Sequence, residues 1–329
     1  MIKIEEKLNW LQPMLVQQFK KTVQQKQLAH AYLFEGVSGT GKKEMSLWLA
    51  ASLLCQEGRE NLPCEKCQNC RRVFEHQHPD VIEIIPDGLS IKVEQVRNLK
   101  AEFSKSGVES HQKIFIIEDV EKMTSGAANS LLKFLEEPEG SAVAFLLTTA
   151  KQRILPTILS RCQLVHFQAL TKKKLMSELE TKGLSINQAS LLVQLTNSVE
   201  EALEMNEDEW FQEAKTIAWK WFTLITNKDR QSFIYVQTTI MPHFKDRDAH
   251  RRLLDLILLA YRDVLMIHYH TIDVLAYVRY QKELDHIKTE YSGKATIQAI
   301  EEVLLSRKKL ESNVNAQGVF EQLVLQLMK

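Results

Sequence analysis

Ala31-Tyr32-Leu33-Phe34-Glu35-Gly36-Val37-Ser38-Gly39-Thr40-Gly41-Lys42-Lys43 is the stretch that decides the fold. A short apolar run, read as a buried strand, passes through a glycine-rich turn straight into an amphipathic helix. That context gives the turn the form of a phosphate-binding loop. Backbone N–H groups at a helix start can cradle an anion, and Lys42 is placed to reach the β/γ oxygens of a nucleotide. The pattern breaks at one residue. Where a hydroxyl would ligate Mg²⁺ stands Lys43, whose ammonium cannot coordinate a cation. Two readings stay open at this point. Either the loop of Gly36, Gly39, Gly41, Lys42 and Lys43 still holds a nucleotide, or it is a strand-to-helix turn that keeps the shape without the ligand.

Working outward, Val81-Ile82-Glu83-Ile84-Ile85, Ile114-Phe115-Ile116-Ile117 and Ala144-Phe145-Leu146-Leu147-Thr148 read as further buried strands, each bounded by turn formers or charge. Strands alternating with helical stretches predict an α/β domain over residues 1–168, with a mostly parallel sheet covered on both faces. Such sheets bind ligands beyond the carboxyl ends of their strands. Glu118-Asp119 ends one of these strands, where ATPases of this shape carry Asp-Glu; here the order is inverted. Asp119 is a methylene shorter than the Glu expected to polarise an attacking water. Because catalysis responds to misplacements of about 1 Å, efficient hydrolysis is not expected.

After Leu170 the β-runs stop. Residues 169–209 predict two or three short helices forming a small lid domain, and residues 210–329 an all-helical domain. In the latter, Leu253, Leu254, Ile257, Leu258, Tyr261, Val264 and Leu265 form an apolar stripe of 3.6-residue period, read as helix packing. Trp210, Trp219, Trp221 and Phe222 are read as core.

Cys55, Cys64, Cys67 and Cys70 are four of the chain's five cysteines. The N-terminus lacks a signal-peptide core and no apolar run approaches the roughly 18 residues that cross a bilayer, so a cytoplasmic protein is expected. Disulfides are uncommon in that compartment, and four thiolates at this spacing suit structural, tetrahedral Zn²⁺ in a module inserted at about residues 55–70. His76 and His78 are read as surface or turn residues. Lys plus Arg and Asp plus Glu are 42 each. That balance argues against a stand-alone nucleic-acid binder, which carries excess positive charge.

Together with Ser160-Arg161-Cys162, these segments resemble the clamp-loader branch of the AAA+ family. The likeness also rests on Leu28-Ala29-His30-Ala31-Tyr32-Leu33-Phe34, His78-Pro79-Asp80 and the run from Asn129 to Pro138, all in the family's order. It is strong over residues 1–168, fair over 169–209 and architectural over 210–329, where the family carries a collar. The departures resemble the delta-prime subunit type of bacterial DNA polymerase III: Lys43, the inverted Glu118-Asp119, and Glu200 where a sensor Arg is expected in gamma-type chains. The resemblance implies a subunit that does not hydrolyse ATP, with ATP binding in doubt. It implies Arg161 as a finger supplied in trans to a neighbouring gamma/tau ATPase, with Ser160 and Cys162 as its motif. It further implies a heteropentamer with gamma/tau and delta that loads a sliding clamp onto primed DNA, and a sensor position at Thr148 and Thr149. Two alternatives stand beside it: an active gamma/tau-type ATPase, and a zinc-bearing nucleic-acid adaptor using Lys66, Arg71 and Arg72 on an AAA+ scaffold.

Overall fold

All four apolar runs are strands, and Leu164-Val165 lies in a fifth. In the computed structural model, which describes residues 3–97, 112–136, 141–271, 274–312 and 314–328, they are β1 (Ala31–Glu35), β2 (Val81–Ile84), β3 (Gln112–Ile117), β4 (Ser141–Thr148) and β5 (Gln163–His166). Every pairing is parallel, in the order β2-β3-β4-β1-β5. The β1 strand, which feeds the glycine-rich turn, lies between β4 and β5. Glu137 and Pro138 of the run that begins at Asn129 lie outside the described residues.

Side chains alternate across a strand, so odd and even positions build two separate cores. Tyr32, Phe34, Ile114, Ile116, Phe145 and Leu147 face one side, against α1 (Ile4–Leu11), α2 (Pro13–Gln24), α3 (Lys42–Leu54) and α4 (Gln68–Phe74). Leu33, Phe115, Ile117, Ala144 and Leu146 face the other, against α5 (Ser125–Glu136) and α6 (Pro156–Leu159). Both faces are covered, which is why these strands are continuously apolar in sequence. The first core is aromatic. Phe34 packs on Phe145 and Phe167 with ring centroids 5.5 and 4.9 Å away.

One expectation fails here. The helix after the turn, α3, is not amphipathic: nine of its residues from Met45 to Leu54 are buried, Trp48 among them. It runs between the sheet and further helices, so no face of its middle meets water. The two serines on it are satisfied internally, Ser46 Oγ donating to the Lys42 carbonyl at 2.7 Å and Ser52 Oγ to that of Trp48 at 2.8 Å.

The chain divides into two compact units, Met1–Leu170 and Thr171–Lys329. The second contains only helices among its described residues. It begins with α7 (Lys172–Thr181), α8 (Ile186–Leu195) and α9 (Val199–Glu207), each opened by a hydroxyl N-cap: Thr171, Ser185 and Ser198. Such caps satisfy one of the four unpaired N–H groups of a helix start, each contributing about 1 kcal/mol. In the long helix Arg247–His268, Leu253, Leu254, Ile257, Tyr261 and Val264 are buried as the stripe requires, while Leu258 and Leu265 are half-buried. The tryptophan group splits. Trp221 and Phe222 are fully buried, whereas half-buried Trp210 stacks on His243 at 5.3 Å and Trp219 on Tyr280 at 4.1 Å.

Candidate functional site

At the carboxyl end of β1 the chain turns sharply enough that only six residues separate the strand from α3. Gly41 is the N-cap of α3 and holds φ +89°, a left-handed conformation that costs a side-chain-bearing residue about 1 kcal/mol or more. Gly36 is required for a different reason: space. A Cβ there would lie 2.6 Å from the Phe167 carbonyl oxygen and 2.9 Å from Phe167 Cβ. Gly36→Ala is therefore expected to destabilise the protein by about 1–3 kcal/mol through overpacking. A lowered urea midpoint with an unchanged slope reads this out, and an unchanged midpoint contradicts it. Gln12, a residue that no motif flags, pins the turn from behind, its Nε2 donating to the carbonyls of Thr40 at 3.1 Å and Gln168 at 2.7 Å.

The charged groups of the turn are engaged within the chain. Lys42 Nζ donates back to the carbonyls of Gly36 at 2.6 Å and Val37 at 2.7 Å. Burial lowers the Lys42 pKa, and the charges of Glu121, Asp119 and Glu44 only partly offset it. Lys43 forms ion pairs with Glu118 at 2.8 Å and Glu83 at 3.3 Å. Burial works against its charge too, yet these two carboxylates outweigh burial and raise its pKa. Glu83 is also held by His76 Nδ1 at 2.6 Å. Asp119 sits at φ +48° and pairs with Lys122 at 2.8 Å.

Glu121 is a member of this site that sequence reading missed. It accepts hydrogen bonds from the hydroxyls of Thr148 at 2.8 Å and Thr149 at 2.7 Å, and from the Thr149 N–H at 3.3 Å. These bonds lower its pKa against the opposing effect of burial. The only sequence signal was a third acid in Glu118-Asp119-Val120-Glu121. Glu200 lies in the first turn of α9, in the second unit, where Ser198 Oγ lies 3.2 Å from its carboxylate.

Cys55, Cys64, Cys67 and Cys70 converge, their sulfurs all within 4.8 Å of one another. Cys55 and Cys67 sulfurs are 3.8 Å apart and those of Cys64 and Cys70 4.0 Å. A tetrahedral metal at about 2.3 Å from each thiolate needs sulfurs about 3.8 Å apart, so the four can hold such an ion. Disulfides, at about 2.0 Å, are excluded by the same distances. Backbone N–H groups face the sulfurs: Cys64 to Cys55 at 3.4 Å, Cys67 to Cys64 at 3.2 Å and Cys70 to Cys67 at 3.5 Å. Cys67 also caps α4. Burial raises the Cys70 pKa; at Cys64 burial pushes the same way, but the N–H groups of Cys67 and Lys66 prevail and bring it to about 7. His76 and His78 stand outside the cluster, His76 on Glu83 and His78 buried in the turn before β2, where its Nδ1 accepts from the Asp80 N–H at 3.2 Å.

Arg161 follows α6. Its Nη2 pairs with Glu136 at 2.7 Å, at the end of α5, and its Nη1 donates to the Thr157 carbonyl at 2.9 Å and to Ser160 Oγ at 3.2 Å. About a third of the guanidinium side chain stays exposed. Cys162 instead packs into the second core, where burial raises its thiol to about 12, which makes it unreactive.

The family described as "DNA polymerase III, delta subunit" matches residues 11–171. Along its whole length the chain is similar to the DNA polymerase III subunit delta' of Bacillus subtilis, 41% identical over 324 residues and 98% of each protein. The tau subunit of the same organism is 34% identical over 174 residues, 51% of this chain and 30% of that one. Among solved structures, the gamma subunit-related protein of Thermotoga maritima has a TM-score of 0.51 at 20% identity, covering 95% of this chain and 98% of that one. At that identity the likeness shows the fold alone.

Proposed function

Given that the chain belongs to the delta-prime family of bacterial DNA polymerase III clamp-loader subunits, we propose that it completes a neighbour's ATPase site without hydrolysing ATP itself. One observation carries this reading. At the carboxyl end of the sheet, Lys42, Lys43, Glu118, Asp119 and Glu121 are each engaged by the chain's own groups, while Arg161 presents a permanently charged, partly exposed guanidinium. Guanidinium is bidentate and planar, which suits it to charge developing on a transferring phosphoryl group.

In this reading the recipient of Arg161 is a gamma/tau subunit, with Ser160 orienting the guanidinium and Cys162 anchoring its segment in the core. Delta completes the assembly, and the substrates of the whole are the sliding clamp and primed DNA. Residues 169–209 act as the lid and 210–329 as the collar. Ile297, Leu304 and Leu305 stand exposed on the helix Gly293–Glu311, which supports a partner-covered face there. Cys55, Cys64, Cys67 and Cys70 hold zinc, which cross-links their loop and supplies no chemistry.

The isolated chain is expected to show negligible ATP turnover, because Lys43 stands where a hydroxyl would ligate Mg²⁺ and the Glu118 and Asp119 carboxylates are held by Lys43 and Lys122. A phosphate-release assay checks it. Binding without turnover is compatible. Multiple turnover abolished by Lys42→Ala would instead make the chain a gamma-type ATPase.

A further inference from the structure

The Lys43 ammonium stands between two carboxylates that come from different strands. Glu83 is on β2, Glu118 follows β3, and Lys43 is in the first turn of α3. The nitrogen is 2.8 Å from Glu118 Oε1 and 3.3 Å from Glu83 Oε2. His76 closes the cluster from the other side of Glu83 at 2.6 Å. We propose that Lys43 is the site's own cation, occupying with its ammonium the place a divalent ion would take, so that this end of the sheet is closed to metals. The proposal rests on reading Gly36–Lys43 as a phosphate-loop scaffold, and it concerns what that scaffold does in place of binding Mg²⁺.

Charge and geometry both favour it. Two carboxylates that share a site repel, and one of them must take a proton or a cation. An ammonium between them meets that need without recruiting an ion from solution. Burial raises the Coulomb energy of these pairs above its value in water. The remaining acids nearby are committed elsewhere: Glu44 pairs with Lys7 at 2.8 Å, Asp119 with Lys122 at 2.8 Å, and Glu121 accepts from Thr148 and Thr149. Mg²⁺ and Mn²⁺ demand oxygen ligands in near-octahedral order and shed water reluctantly. A cluster whose charge and open space an ammonium has already taken up gives them no net gain.

The consequence is a latent metal site. Removing the ammonium while leaving the carboxylates should turn the cluster into a divalent-cation site, with the new hydroxyl of Lys43→Ser as an additional oxygen. The probe is Mn²⁺, followed by its electron paramagnetic resonance signal in the full-length zinc-loaded chain. Mn²⁺ prefers oxygen and does not compete for a four-thiolate centre, and zinc content is measured in parallel. The wild-type chain and Lys43→Arg should show no saturable Mn²⁺ binding. Lys43→Ser should bind one Mn²⁺ per chain at least about tenfold more tightly than the wild type. Adding Glu118→Gln should abolish that gain. If Lys43→Ser is unfolded in metal-free buffer, Mn²⁺ should restore its circular dichroism, because a ligand that binds only the folded state stabilises it. Wild-type chain that binds Mn²⁺ as tightly as the variant overturns the proposal. So does a folded Lys43→Ser that gains no site, or an unfolded one that Mn²⁺ does not rescue. None of these readouts depends on Arg161 or on ATP hydrolysis, so failure here is distinguishable from failure of the proposed role in the loader.

Discussion

Arg161→Ala in a fully assembled loader is expected to lower ATP turnover at the receiving interface by about 10³–10⁵, the range seen when a finger guanidinium is supplied or removed in trans. In the proposed assembly the whole complex should lose less, because other gamma/tau interfaces would keep their own fingers, and clamp loading should slow in step. The fold should be unaffected. Arg161 is anchored by the carbonyl of Thr157, the Ser160 hydroxyl and Glu136, and both partners of the ion pair are substantially exposed. An exposed pair of this kind contributes about 0.2–1 kcal/mol. The same figure means that the guanidinium can leave Glu136 for a phosphoryl group at small cost. Arg161→Lys should rescue poorly, since an ammonium is a point charge without the planar fork. Mutant and wild-type complexes are compared at matched assembly, checked by size-exclusion chromatography. Unchanged hydrolysis and loading in a correctly assembled mutant would reduce Arg161 to a surface charge and remove the trans-acting role.

Loss of the four-cysteine centre should have the largest effect on structure. Structural zinc in small peptides contributes on the order of 10–16 kcal/mol of apparent binding free energy at neutral pH, and binding there is folding. In this chain only part of that acts on stability, because the sheet and its two cores fold around other contacts. Cys67→Ser should nevertheless lose the metal and loosen the segment from Cys55 to α4, since a serine hydroxyl can keep the cap on the Cys70 N–H but cannot replace the fourth thiolate ligand. The loosening should spread to α3, whose last carbonyl is held by this segment: Asn69 Nδ2 donates to the Leu54 carbonyl at 2.9 Å. Protein purified without added zinc should carry near-stoichiometric Zn by metal analysis. Its affinity should fall as pH falls, because protons compete with the metal for the thiolates. A wild-type chain that is metal-free and fully folded, with an unchanged melting temperature on adding zinc, would end this assignment.

How much of this was legible in the residues follows from how far apart the interacting groups lie in sequence. The glycine-rich turn, the C-x8-C-x2-C-x2-C spacing, the Ser160-Arg161-Cys162 segment and the apolar strands are local patterns. Their chemistry depends on neighbours a few residues away, so periodicity and spacing suffice to recognise a parallel α/β domain, a thiolate cluster and a damaged phosphate loop. The amphipathic expectation for α3 failed because a helix sheathed on all sides, like a strand covered on both faces, shows no polar stripe. Which charge meets which was not legible at all. Lys43 finds Glu83 and Glu118, and Glu121 finds Thr148 and Thr149, only because the parallel strand order β2-β3-β4-β1-β5 brings the carboxyl ends of distant strands together, whereas Arg161 finds Glu136 in the segments that lead into β5 and β4. Coulomb energy and hydrogen bonding act over a few ångströms, whereas sequence separation carries no information about distance once a chain crosses over between parallel strands. The sequence alone therefore determined the kinds of groups present and the scaffold that carries them. Tertiary structure decided that the groups at the phosphate loop are engaged within the chain, and that Arg161 keeps a partly exposed guanidinium.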